Sequence, residues 1–310
     1  MRVPERWHRD WRSADPPHSP VLFINPGSGG GKAPRAALAE HARTLGITAV
    51  ELAPGQDLAA LVQESIANGA DALGMAGGDG SLAVVAAAAC VHGLPFVCVP
   101  AGTRNHFALD VGVARHDLIG SLAAFTDGIE RRVDVGEVDG RVFLNNVSLG
   151  IYGDAVQRPG YRGAKVRTLL ETAEDVLGPS ANAPTLDLVD DLGREHSHPA
   201  VLLVSNNPYA LDRAVARGTR PRLDTGCLGI MVLDGPNERR HGASRAWSAS
   251  SLEVGAPEPV HAGIDGEAAT LGPPLRFVSR PAMLRVRISS HHPGMSPAAL
   301  LAIGVAADRA

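Results

Sequence analysis

Three glycine-rich loops, each set directly after an apolar run, constrain this chain more than any other feature. They are Asn25-Pro26-Gly27-Ser28-Gly29-Gly30-Gly31-Lys32, Gly77-Gly78-Asp79-Gly80-Ser81 and Gly102-Thr103-Arg104-Asn105. The runs before them are Val21–Ile24, Ala72–Ala76 and Pro95–Pro100. Short apolar runs closed by Gly or Asn-Pro-Gly read as buried strands. Helical spacing covers Pro34–Leu45, Asp57–Asn68 and Ser81–Val91; in the second, Asp57 caps a helix whose Leu58, Leu61, Val62 and Ile66 share a face. Thr48–Leu52 supplies a further strand. Alternating strands and helices imply a parallel sheet with helices on both faces, so residues 20–130 read as a doubly wound α/β nucleotide domain. Such sheets bind ligands beyond the C-terminal ends of their strands, where all three loops fall.

Glycine lets backbone N–H groups approach an anion closely, and N–H groups at a helix start stabilise phosphate. The expected nucleotide-binding residues are therefore Asn25, Gly27, Ser28, Gly29 and Gly30 in the first loop, Gly77, Gly78, Gly80 and Ser81 in the second, and Thr103 and Asn105 in the third. Asp79 is different. A carboxylate inside such a loop repels bare phosphate, but it fits beside Mg²⁺ or next to a hydroxyl as a base. Lys32, one of only two lysines, closes the first loop. The spacing is not Gly-x4-Gly-Lys-Ser/Thr, so this is not a Walker loop. Together the loops point to phosphoryl transfer.

After about residue 130 the texture changes. Arg132–Leu144 reads as a hairpin turning at Asp139-Gly140. Val166–Leu177 has helical spacing. Short strand-like runs follow at Thr185–Val189, Ala200–Ser205, Gly229–Leu233, Leu252–Val254, Leu275–Phe277 and Met283–Ile288. Residues 131–290 are thus expected to form a mainly antiparallel β domain, with 236–250 a polar loop or helix. Residues 1–19 read as a polar arm whose Trp7 and Trp11 share one helical face that docks on the protein. Residues 291–310 read as a tail with a short helix at Ala298–Val305.

Composition excludes several classes. The 310 residues are 45% hydrophobic and 20% charged, enough for a substantial core, and a net charge of -4 gives nucleic-acid binding no support. Cys90, Cys98 and Cys227 are odd in number and scattered, which fits a reducing, cytoplasmic compartment. No apolar run approaches the ~18–20 residues that cross a bilayer, so membrane contact is expected to be peripheral. His261, His291 and His292 show no ligand spacing, and no Gly-x-Ser-x-Gly elbow supports a hydrolase triad.

The motifs, in order and spacing, resemble the diacylglycerol kinase catalytic-domain family, which includes bacterial lipid kinases, sphingosine kinases and ceramide kinases. The resemblance spans roughly residues 20–290 and rests on Val21–Lys32, Gly77–Ser81, Pro100–Asp110, Phe143–Ala155, Pro221–Gly229 and Asp265-Gly266-Glu267. It implies an N-terminal nucleotide domain, a C-terminal β-sandwich lipid-substrate domain with the site between them, and a tail packing on the N-terminal domain. The implied activity is transfer of the ATP γ-phosphate, with Mg²⁺, to a lipid alcohol such as diacylglycerol, at the inner membrane face. By the same resemblance Glu267 is the general base, Asp265 supports metal or phosphate geometry, and Asp79 orients Mg²⁺–ATP or accepts the lipid proton. Some members hold a structural Mg²⁺; here only Asp224 stands near that pattern, with Thr225 where an acidic residue or Asp-Gly is often seen. Ser81 replaces the usual Thr, and His106 replaces a common Asp. Arg104, Arg162 and Lys165 read first as a solvated face and second as contacts for phosphate or an anionic headgroup. A homodimer is one expectation for assembly. The rival readings are a NAD kinase-like phosphotransferase, which shares Gly-Gly-Asp-Gly, and a non-catalytic lipid- or nucleotide-binding module.

Overall fold

Strands β2 (Pro20–Ile24), β4 (Ala72–Ala76) and β5 (Pro95–Val99) are buried at every residue, as parallel strands covered on both faces must be. The computed structural model describes residues 10–150, 185–197, 199–210, 218–234 and 244–302. The chain forms two units: residues 1–133, 219–224 and 282–310 in the first, 134–218 and 225–281 in the second. In the first, β3 (Thr48–Glu51), β2, β4 and β5 lie side by side in that order, all parallel. The chain steps one way from β2 to β3 and then the other way to β4 and β5. Right-handed crossovers of opposite direction put the connecting helices on opposite faces, so the sheet is doubly wound with its switch point between β2 and β4.

The connecting helices follow local signals. The expected helix over Pro34–Leu45 breaks where Ala37 takes φ 48°, giving α1 (Lys32–Arg35) and α2 (Leu38–Thr44). Helix α3 (Leu58–Ala67) starts at Asp57, whose carboxylate accepts from Ala59 N at 2.9 Å and Ala60 N at 3.2 Å. Helix α4 spans Asp79–His92, so it takes in Asp79 and Gly80 ahead of the expected start at Ser81. Short helices α5 (His106–Asp110) and α6 (Leu118–Ser121) follow β5. Leu22, Ile24, Leu38, Ala72, Val97, Leu122 and Phe125 build the core between these layers.

Two late strands complete this sheet. β17 (Leu275–Ser289) runs parallel to β5, pairing Arg285 with Pro95, and β6 (Gly128–Val138) pairs with β17. β1 (Arg12–Ser13) pairs with β6 through Arg12↔Glu130 and Ser13↔Ile129. Arg12 and Ser13 of the expected arm therefore form a sheet edge. Trp11 is buried, donating from its indole nitrogen to Gly294 O at 2.9 Å; Trp7 lies outside the described residues. The tail belongs to this unit, with a last helix α7 (Pro297–Ala302) anchored where Ser296 Oγ donates to Arg220 O at 2.6 Å.

The second unit is an antiparallel sandwich. One sheet orders β13 (Ser244–Ala249), β12 (Leu228–Asp234), β11 (Pro199–Asn206), β8 (Asn146–Gly150), β15 (Val260–Ile264) and β16 (Glu267–Leu271). The other layer comprises β10 (Glu195–Ser197), β9 (Asp187–Asp190), β14 (Ser251–Gly255) and the start of β17, with β7 (Arg141–Phe143) on the end of β6. Leu149, Leu202, Ile230 and Val232 from one layer meet Leu188, Val254, Leu275 and Phe277 from the other. The Asp139-Gly140 turn forms as expected, with φ 48° and 79° between paired Val138 and Arg141. Residues 244–249 of the segment read as loop or helix are strand β13, and the runs at Leu275–Phe277 and Met283–Ile288 are one strand. The helix expected at Val166–Leu177 lies outside the described residues.

Candidate active site

Parallel strands bring their C-terminal ends to one edge of the sheet, so the loops after β2, β4 and β5 emerge together. They pack at backbone distance. A Cβ on Gly29 would stand 2.3 Å from Ala101 O, and one on Gly102 would stand 2.9 Å from Gly77 O. Gly29 also has φ 58°, so glycine is required there twice over. Lys32 Nζ donates to Gly102 O at 2.8 Å, and Arg35 Nη1 donates to Gly30 O at 2.7 Å. Asn25 Oδ1 accepts from Gly27 N at 3.1 Å, which shapes the first loop's turn.

Asp79 opens α4 partly buried, and its Oδ1 lies 3.4 Å from Phe107 N at the start of α5. Gly78 and Gly80 flank it, and Ser81, two residues on, is partly buried. Asn105 is buried with φ 55°; its Nδ2 donates to Pro100 O at 3.0 Å, while its Oδ1 is buried with no partner among the described residues. A buried carbonyl oxygen without a donor is uncommon in native proteins, and a ligand N–H or hydroxyl would satisfy it. Thr103 and Gly27 are exposed at the rim. The residues expected from the three motifs are thus brought together within the first unit.

His106 follows Asn105 directly. Burial pushes its imidazole pKa down, against the pull of the Asp79 and Asp110 carboxylates. Behind it, Asp110 and Arg220 form a buried pair: Oδ2 accepts from Nε at 2.9 Å and Nη2 at 2.6 Å, and Oδ1 accepts from Arg220 N at 2.8 Å. Burial pushes the Asp110 carboxyl up, with Arg220 opposing. Sequence reasoning missed this support, because 110 residues separate the partners and Arg220 lies outside every quoted motif.

The remaining expected residues have these surroundings. Asp224 is exposed and paired with Arg222 at 2.8 Å. Asp265 and Gly266 form the two-residue turn between β15 and β16 with φ 49° and 88°. The Asp265 carboxylate accepts from the backbone N–H of Leu144 at 2.8 Å, Asn145 at 2.7 Å and Asn146 at 3.1 Å, so it clamps the entry to β8 within the second unit. Glu267 is exposed. Arg162 and Lys165 lie outside the described residues.

Among the described residues no group of three or more His, Cys, Asp or Glu side chains gathers to hold a metal. Magnesium in phosphoryl-transfer sites is held by one or two carboxylates together with the substrate phosphates, and Asp79 beside an N–H-rich loop fits that donor set.

The diacylglycerol kinase catalytic domain matches residues 19–138. A probable lipid kinase, YegS-like, from Pseudomonas fluorescens is 30% identical over 259 residues, 76% of this chain and 84% of that protein. A diacylglycerol kinase from Bacillus subtilis is 36% identical over 72 residues, which span 24% of its length. In fold, the crystal structure of a diacylglycerol kinase from Bacillus anthracis str. Sterne superposes with a TM-score of 0.62 at 16% identity, covering 87% of this chain and 96% of that one. Loops, order of motifs and overall match agree: the chain belongs to the diacylglycerol kinase catalytic-domain family, a family of lipid kinases.

Proposed function

We propose that the chain transfers the γ-phosphate of ATP to the hydroxyl of diacylglycerol or a related lipid alcohol. The observation that carries this reading is the convergence of three glycine loops on one carboxylate, Asp79, beside the unpartnered Asn105 Oδ1. The names of the relatives support the lipid acceptor. Backbone N–H groups of Gly27–Gly30 and Gly77–Gly80 hold the phosphates, Asn25, Ser28, Ser81 and Thr103 hold phosphate or ribose, and Asn105 accepts from the nucleotide. Bound Mg²⁺ would neutralise charge on the phosphate oxygens, and Asp79 is the residue that would hold it.

In the step itself the lipid oxygen bonds to the γ-phosphorus as the bond to the ADP oxygen breaks. The lipid hydroxyl proton goes to a carboxylate, for which the family motif nominates Glu267, with Asp265 fixing the turn that carries it. Positioning and charge neutralisation supply most of the rate in such transfers, so the base contributes modestly. The acceptor remains in a bilayer, so the enzyme works peripherally at the cytoplasmic membrane face. No helix among the described residues is long and apolar enough to cross a membrane.

The test is transfer of radiolabelled γ-phosphate from Mg²⁺–ATP to a panel of lipid alcohols in mixed micelles, with NAD as a control acceptor. Label in a phospholipid supports the proposal and names the acceptor. Label in NAD alone replaces it with the NAD kinase-like reading, and ATP binding without transfer favours a binding module.

A further inference from the structure

We propose that a second site in the first unit, remote from the glycine loops, binds a phosphate group. A cavity of about 490 Å³ opens at the sheet edge where β1 stops covering β6. Its charged lining is Arg12, Arg131, Arg132 and Arg285 against Asp10 and Glu130. Arg285 pairs in register with Pro95, the first residue of β5, whereas the third glycine loop follows Val99 at the other end of that strand. One strand of this length separates the two places by roughly 15 Å.

The charges do not cancel. Among the described residues four arginines face two carboxylates, an excess of two positive charges in the lining on a chain whose net charge is -4. Glu130 is already engaged by Arg285 at 2.8 Å and by Arg287 at 3.2 Å. Arg132 spends one Nη1 hydrogen on Ala282 O at 3.2 Å. Arg131 is the decisive residue. Its guanidinium lies 4.8 Å over the Trp11 ring, and its Nε is buried with no hydrogen-bond partner among the described residues. Burial disfavours its charged form, while Asp224, Asp10 and Asp110 act on it from beyond ion-pair range. Two of those three are already balanced, Asp110 by Arg220 and Asp224 by Arg222.

One buried nitrogen of a partly buried guanidinium thus lacks an acceptor, and an oxyanion held by the same guanidinium from the cavity offsets the cost of burying its charge. The planar fork of arginine matches phosphate in two parallel hydrogen bonds, and Arg12 and Arg132 stand on the same rim to take further oxygens. The ligand chemistry is a phosphate mono- or diester group, carried by a soluble metabolite or by a phospholipid headgroup.

Trp11 is one of three tryptophans and reports directly on Arg131. The full chain is titrated with inorganic phosphate, against chloride at matched ionic strength, while tryptophan fluorescence is followed. In a parallel arm it is sedimented with phosphatidylcholine vesicles with and without phosphatidylglycerol. The expected result is saturable, phosphate-dependent quenching that weakens about tenfold in Arg12→Gln, whose exposed side chain leaves the fold intact, and that is absent in Arg131→Gln and Trp11→Phe. Sedimentation that needs phosphatidylglycerol and falls in Arg12→Gln assigns the headgroup as the source. Phosphate binding with no such vesicle dependence assigns a soluble phosphate. Wild type that responds no more than to chloride and neutral vesicles, or variants that bind as wild type does, overturns the proposal. Binding alone is read, so the outcome is independent of the kinase reading.

Discussion

Lys32 Nζ donates to the carbonyl oxygen of Gly102 across 2.8 Å, and the two residues belong to different glycine loops. The bond ties the loop after β2 to the loop after β5, at the edge of the sheet where the order reverses. A charge-assisted bond to a partly buried carbonyl contributes about 1.5–3 kcal/mol. Lys32→Met is expected to lower stability by about 1–2 kcal/mol and to raise the KM for ATP more than it lowers kcat, with Lys32→Arg recovering part of both. Urea unfolding and ATP saturation curves check this.

Gly29 and Gly30 make a matched pair. Both have positive φ, but only a Cβ on Gly29 meets backbone, at 2.3 Å from Ala101 O; nothing lies within 4 Å of one on Gly30. Gly30→Ala should cost about 1 kcal/mol through left-handed strain alone. Gly29→Ala adds a backbone clash and should cost at least about 2 kcal/mol more while weakening ATP binding. Comparable losses in the two variants would show that the loops are not packed as described.

Asp110 and Arg220 are buried together, so removing one partner leaves an uncompensated charge. Arg220→Met or Asp110→Ala is expected to destabilise by about 3–5 kcal/mol. The double variant should lose clearly less than the sum, which a double-mutant cycle by urea unfolding measures.

His292 links stability to pH. Burial lowers its pKa from 6.5, with His291 adding to the shift and Asp117 opposing it. Its Nδ1 accepts from Ala114 N at 3.3 Å, a bond that the protonated ring cannot make. The unfolded chain binds the proton more readily, so this contribution is full above about pH 6.5 and is lost as pH falls toward the lowered folded value. Stability should decline between pH 7.5 and 5.5, and His292→Gln should flatten that decline.

The first unit was largely legible in sequence because its signals are local. Apolar runs closed by glycine gave β2, β4 and β5, and Asp57 marked the start of α3. Ala37 was not legible: nothing in an alanine announces φ 48°. Nor was β13, whose Ser-Arg-Ala-Trp-Ser-Ala sequence is polar and is held as a strand by pairing with β12. The domain boundary was read near residue 130, yet residues 282–289 return to the first unit because β17 finds its parallel partner in β5, a contact 190 residues away in sequence (285 minus 95). For the site, the motif residues were legible and their supports Arg220 and Lys32–Gly102 were not, since tertiary packing alone brings them together.

Asp265 and Glu267 share a motif but not an environment. Asp265 holds three backbone N–H groups, so Asp265→Asn should destabilise the second unit by about 2 kcal/mol or more. Exposed Glu267 should tolerate Gln within about 0.5 kcal/mol. If it is the base, Glu267→Gln lowers kcat with little change in the KM for ATP. An unchanged kcat removes Glu267 from the chemistry.

The most direct test of the central claim is the rate of γ-phosphate transfer to the identified lipid by Asp79→Ala, measured beside its urea-unfolding midpoint. The account predicts a kcat reduced by at least about 10³-fold, with stability within about 1 kcal/mol of wild type. A wild-type rate from a folded Asp79→Ala enzyme would contradict it.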